Sequence, residues 1–248
     1  MLMIAPKRSK PRNRSAQAGF SLLEMAIVMV IIGLLLGGLL TSLGSTREIN
    51  ARADAENQLN QIIEALYGFA QANGRLPCPS TVASAGAEAP LGGGNCTQQH
   101  GFVPSETLGL SGSVNADGLL MDPWQGAYRY SVSTSNGNAF TTSNRMRTVT
   151  MANLTPDLRV CNAAACGTVT ADSLPVVVLS MGADWADFTG ADVDATENAG
   201  ETTIAGYRHG NDNDFVSSTY IEDVFDDMIS WMSPNILFTR MISAGQLP

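Results

Sequence analysis

The sequence predicts an α+β protein in which one long N-terminal α-helix precedes a β-sheet head with enlarged loops. Two observations lead there. No proline occurs between Phe20 and Leu76, a stretch that opens on an almost uncharged apolar run and continues at helical spacing. After Pro77 the texture changes to Gly, Ser, Thr and Asn with short apolar runs, as expected of loops and strands. At 248 residues the chain is long enough to bury a sizeable core.

Phe20 to Leu43 reads FSLLEMAIVMVIIGLLLGGLLTSL, 24 residues with the single charge of Glu24. At about 1.5 Å per residue this run spans a hydrocarbon core about 30 Å thick. A plain membrane anchor or an ordinary signal peptide would explain the apolar residues. Neither explains two details. The small residue Gly19 stands before the apolar run, whereas signal-peptide cleavage sites follow it. Glu24 lies near the start of the run, and an ionisable group in lipid costs up to about 2.5–3.5 kcal/mol. Such a residue marks a functional role.

Thr46 to Asn73 continues as an amphipathic helix, with Leu59, Ile62, Ile63, Leu66, Tyr67 and Ala70 on one face. Gly74 and Pro77 end it. The expected helix runs from residue 20 to 73, with Gly37 and Gly38 either a point of bending or a site of close helix packing. In the head, Ala127–Val132 alternates as a half-buried strand, Thr148–Met151 is a second predicted strand, and Pro175–Ser180 is a third, apolar on both faces and therefore central. Tyr220 to Met232 fits a helical face, with Thr219 and Glu222 placed like a capping box. Pro234 to Ser243 reads as a short helix stopped by Gly245.

Charge is unevenly distributed. Lys7, Arg8, Lys10, Arg12 and Arg14 precede Gly19 with no acid among them; after Gly19, nine arginines face 23 acids, a net −14. The basic segment is a signal for a cytoplasmic N-terminus. The acidic remainder repels phosphate backbones, which excludes nucleic acid as a direct partner of the head.

The four cysteines, Cys78, Cys96, Cys161 and Cys166, all lie in the head. Of three connectivities, local pairing of Cys78 with Cys96 and of Cys161 with Cys166 comes first. The first bridge would contribute about 3 kcal/mol on the loop-entropy model and pin the Gly/Ala-rich loop from Ser80 to Gly94. Zinc is the rival reading, but no CxxC is present and His100 and His209 are far apart in sequence.

Gly19-Phe20-Ser21-Leu22-Leu23-Glu24 followed by an apolar helix resembles the class III signal of type IV prepilins and type II secretion pseudopilins. The resemblance implies a pilin-like fold, with the long helix packed on an antiparallel β-sheet. It implies cleavage between Gly19 and Phe20 by prepilin peptidase and N-methylation of the new Phe20 amine. In a filament, the Phe20 ammonium of one subunit would neutralise Glu24 of a neighbour, since a buried pair is tolerated where either charge alone is penalised. The implied partners are prepilin peptidase, other pilin or pseudopilin subunits and an inner-membrane assembly platform. The implied organisation is a leader at 1–19, a transmembrane and polymerisation helix at 20–45, an amphipathic half at 46–76 and a periplasmic or extracellular head at 77–248. The chain would cross the inner membrane once before joining a filament.

Three stretches of the head resemble the major pseudopilin of type II secretion. Asp122-Pro123-Trp124 with Gly126, Tyr128 and Tyr130 is similar to its DPWG–PY–Y stretch, with one residue inserted. Leu179 to Asp184 is similar to its SLGADG turn, and Asp227-Met228-Ile229-Ser230-Trp231 to its closing ADI–W, which implies a strand there. This head is longer, with extra material around Ser133–Leu174, around Ala186–Tyr220 and at the C-terminus. The family's loop binds calcium through aspartates matched here by Asp184 and Asp227. The segment from Asp184 to Asp227, these two included, holds 12 of the 23 acids, opposed only by Arg208. Oxygen-rich loops suit calcium, but some 30 inserted residues separate the pair and a solvated acidic loop accounts for the same charges.

A structural subunit of a pilus or secretion filament, of the minor kind given its enlarged head, is the function these features imply. A tip-located minor pilin that binds a surface or substrate is the alternative. An enzyme is not expected, because neither histidine has a catalytic motif around it and no GxSxG or HExxH occurs.

Overall fold

The computed structural model of the chain describes residues 21–186, 193–200, 202–204, 207–209, 212–221 and 225–248, with the backbone alone at 36–46, 202–204 and 207–209. The leader, Gly19 and Phe20 lie outside the described residues. The chain divides into two compact units, Met1–Glu48 and Ile49–Pro248.

Helix α1 (Leu22–Asn73) agrees with the predicted helix to within two residues at its start. Its backbone is helical through Gly37 and Gly38. Among the described residues no helix is long and apolar enough to cross a membrane. The described side chains of the predicted span cover Ser21–Leu35, and the rest of Phe20–Leu43 lies outside them. The helix ends as expected: the Gly74 amide donates to the Ala70 carbonyl at 2.9 Å and Gly74 turns left-handed at φ +65°. A Cβ at Gly74 would also sit 2.7 Å from the Gln246 side chain.

In the second unit the apolar face of α1 is buried. Leu59, Ile62, Ile63, Leu66, Tyr67 and Ala70 form one core with Tyr130, Val132, Val176 and Val178 of the sheet and with Met232 just after its last strand. That sheet contains β1 (His100–Phe102), β2 (Arg129–Val132), β5 (Val176–Ser180) and β9 (Met228–Trp231), in the order β1-β2-β5-β9 and antiparallel throughout. Short helices α2 (Ser105–Leu108), α3 (Ser135–Asn138) and α4 (Arg145–Val149) lie in the connections. Helix α6 (Pro234–Ser243) adds Leu237 and Met241 to the same core. It is tied to α1 by Arg240, which forms a forked pair with Glu64 at 2.7 and 2.9 Å, and by hydrogen bonds between Tyr67 and Ser233.

The other face of the sheet is also covered. A second sheet, ordered β4-β3-β8, comprises β3 (Leu158–Cys161), β4 (Val169–Leu174) and β8 (Asp214–Val216), with β3 and β4 antiparallel and β3 and β8 parallel. Leu158, Val160, Leu174 and Phe215 pack with Val177, Leu179 and Met181. The run PVVVLS is apolar on both sides for this reason: Val176 and Val178 face the α1 core, while Val177 and Leu179 face the outer layer. The outer layer is built from the two longest stretches of extra head sequence, the second of which also carries α5 (Val193–Ala199) and a hairpin of β6 (Thr202–Ile204) and β7 (Tyr207–His209).

Three expectations need correction. Ala127–Val132 is not half-buried: the strand begins at Arg129 and is buried on both faces, because the outer layer covers the side that alternation assigns to solvent. Thr148–Met151 is not a strand. It spans the end of α4 and a 3-10 turn, where the Thr148 hydroxyl bonds back to the Arg145 carbonyl and Thr150 takes φ +69°. Tyr220–Met232 is not one helix: Met228–Trp231 is the β9 edge strand, and Ile221 pairs with Phe225 in an isolated antiparallel bridge. Glu222, the second member of the expected capping box, lies outside the described residues.

Candidate functional site

The start of α1 is closed by two reciprocal hydrogen bonds. The Ser21 amide donates to Glu24 Oε2 at 2.9 Å, and the Glu24 amide donates to Ser21 Oγ at 3.2 Å. This is the S-x-x-E capping box, which satisfies two of the free amides that every helix start carries. Its sequence signature is Ser21-x-x-Glu24 at the head of an apolar run. Apolar side chains from Leu22 to Leu35 are exposed around it, Leu22 at 91%.

In the second unit, the predicted pair Asp184 and Asp227 comes together, and Asp226 joins it. One carboxylate oxygen from each lies within 4.8 Å of the others. Asp226 escaped the sequence reading, although it is the neighbour of Asp227 in a DD doublet. The turn after β5 and the segment leading into β9 meet because β5 and β9 are paired from Ser180 and Met228 onward. The Ala183 amide donates to Asp226 Oδ2. Gly182, at φ +66°, makes room for this, since a Cβ there would collide with the Asp226 carboxylate.

Asp226 and Asp227 are both buried, and Oδ1 of each has no hydrogen-bond partner. Burial drives the Asp227 carboxyl well above the usual carboxylate range. The Asn198 hydrogen bond and the field of Arg129 oppose that rise, and the charges of Asp226 and Asp184 add to it. Buried oxygens that converge, repel and lack donors are what a hard, oxygen-seeking cation relieves. The donor set therefore fits calcium. Asp227 also lines a surface groove with Arg52, Glu56, Leu59 and Ser230.

Beside this cluster the two turns that resemble pseudopilin stretches are hydrogen-bonded to each other. Ser180 Oγ donates to Asp122 Oδ2 at 2.6 Å, and Asp122 Oδ1 accepts the amides of Trp124 at 3.0 Å and Gly126 at 2.7 Å. Trp185 Nε1 donates to the Trp124 carbonyl at 3.0 Å. Burial pushes the Asp122 carboxyl up to about 6, against these hydrogen bonds and with help from Asp226.

The cysteines pair locally, Cys78 with Cys96 and Cys161 with Cys166. The first bridge closes the Ser80–Gly94 region together with an ion pair absent from the sequence reading. Arg75 grips Glu88 through two bonds of 2.7 Å, and the amides of Cys78 and Gly92 donate to the same carboxylate.

Residues 14–40 match the family model of the prokaryotic N-terminal methylation motif. The chain carries the class III signal of type IV pilins and pseudopilins. The matched segment includes Gly19, Phe20 and Glu24 and implies a membrane-anchored precursor. No curated protein and no solved structure matches the chain. The α+β architecture, with a long N-terminal helix and an antiparallel sheet, is consistent with a pilin-like fold.

Proposed function

We propose that this chain is a structural subunit of a type IV pilus or type II secretion filament, polymerising through α1 and presenting its second unit as a head. The observation that carries this reading is the methylation motif at residues 14–40, set against a helix whose start is apolar and exposed. Prepilin peptidase would cut between Gly19 and Phe20, leaving Glu24 as the fifth residue, and the Phe20 amine would be methylated. Partners are then the peptidase, an inner-membrane assembly platform and other subunits, the Phe20 ammonium of one pairing with Glu24 of the next. Before processing the chain would cross the inner membrane once, with 1–19 cytoplasmic and 77–248 on the far side.

The outer layer favours a minor subunit, because it adds a sheet and α5 beyond the single sheet that α1 needs for its core. A location at the filament tip, with the head binding a surface or substrate, is the alternative. Asp184, Asp226 and Asp227 are assigned as the protein's ligands for calcium. The ion would neutralise the three carboxylates and hold the turn after β5 against the start of β9.

Mass spectrometry of the protein purified from assembled filaments tests the class. Methylated Phe20 at the N-terminus is expected; an intact Met1 on assembled protein overturns the reading.

A further inference from the structure

The cluster of three aspartates depends on a residue that belongs to none of the pilin-like stretches. Asn198 lies in α5, within the inserted material, and is 1% exposed. Its Oδ1 accepts the Val216 amide at 2.7 Å, and its Nδ2 donates to the Val216 carbonyl at 2.8 Å and to Asp227 Oδ2 at 2.7 Å. The pair of bonds to Val216 leaves no choice in how the amide is oriented: oxygen must meet the Val216 amide and nitrogen the Val216 carbonyl. The remaining N–H is thereby aimed at Asp227. With Oδ2 so occupied, Oδ1 is the oxygen of Asp227 left without a partner.

The α5 segment is fixed at both ends. Asp194 Oδ1 accepts the Ala164 amide at 2.8 Å from the loop closed by Cys161–Cys166, and the Ala199 carbonyl accepts Arg129 Nη1 at 2.9 Å from β2.

We propose that Asn198 is a positioning residue of the calcium site, so that cation binding at Asp184, Asp226 and Asp227 is coupled to the docking of α5 on β8. This rests on the calcium reading given above. The physical logic is that of an outer partner to a metal ligand: a hydrogen bond to the non-ligating oxygen fixes the orientation of the carboxylate, and its loss typically weakens metal affinity about 10–100-fold. Linkage then works in both directions. If docked α5 favours the ion, the bound ion must favour docked α5.

The test uses the full chain in detergent micelles, with calcium chloride as the titrant in calorimetry at a temperature well below melting. Wild type should bind, Asp184→Ala should not, and Asn198→Ala should bind about 10–100-fold more weakly while keeping the wild-type circular dichroism. A purely structural role would lower the calcium-free melting temperature of Asn198→Ala and leave its affinity unchanged. Hydrogen exchange on wild type supplies a readout that needs no variant: calcium should slow exchange of the 193–199 and 214–216 amides. If Asn198→Ala binds calcium as tightly as wild type, or if bound calcium leaves exchange of α5 unaltered, the coupling is wrong and the site stands. If wild type takes up no calcium, both are wrong.

Discussion

Ser21 and Glu24 cap the same turn of α1 reciprocally, amide to carboxylate at 2.9 Å and amide to hydroxyl at 3.2 Å. The carboxylate assigned to intersubunit pairing is therefore already engaged within its own helix. Two roles fall on one side chain, and chemistry can separate them. Glu24→Gln keeps an oxygen for the Ser21 amide and removes the charge; Glu24→Val removes both. If pairing with a neighbour's Phe20 ammonium drives assembly, both variants fail to enter filaments in competition with wild type. Hydrogen exchange in the first turn should be faster in Val than in Gln, reflecting a cap worth about 1 kcal/mol. Wild-type incorporation of the Gln variant would transfer the role of Glu24 from charge to cap.

Calcium should raise the melting temperature of the full chain in micelles relative to chelator. A ligand that binds only the native state adds about 2.7 kcal/mol at a hundredfold excess over Kd. Asp184→Ala and Asp226→Ala should each abolish the increment, while Asp172→Ala, on an exposed stretch of β4, should retain it. Equal melting of wild type in calcium and in chelator would reduce the cluster to a set of crowded acids.

Asp122 gives the head a pH dependence of defined sign. Its carboxyl sits at about 6 when folded against 3.8 unfolded, so the native state holds the proton more tightly. Stability from this group is complete below pH 3.8 and is lost as pH rises toward 6, after which the loss is constant. The whole effect is on the order of 3 kcal/mol, from about 1.4 kcal/mol per pKa unit. Asp122→Asn preserves an acceptor for the Trp124 and Gly126 amides and has no charge to bury. Denaturant unfolding in chelator should show the variant gaining on wild type between pH 4 and 7, and curves that stay parallel would contradict the assignment.

The sequence disclosed what depends on local period and on motif. Helix α1 was legible from the spacing of Leu59 through Ala70 and from Gly74, and β5 from its unbroken apolar run. The conjunction of Asp184 with Asp227 was legible only through resemblance, because nothing local joins residues 43 positions apart. Asn198 left no signal, since an asparagine in a Gly- and Asp-rich stretch reads as a turn former until its partner on β8 is known. Thr148–Met151 misled because four alternating residues are too few to distinguish a strand from a helix end. At Met228–Trp231 the helical periodicity running on from Ile221 misled, whereas the resemblance to the ADI–W stretch implied the strand that forms there.

Strand β5 behaves as a party wall. Val176 and Val178 belong to one room, Val177 and Leu179 to the other. On β4, Val169, Thr170, Asp172 and Ser173 are open to solvent and far along the chain from the helix that would polymerise. Descent with modification can therefore redecorate that exterior, residue by residue, without retooling the shaft. A lineage that needs a new specificity can vary the outer room and inherit the assembly mechanism intact.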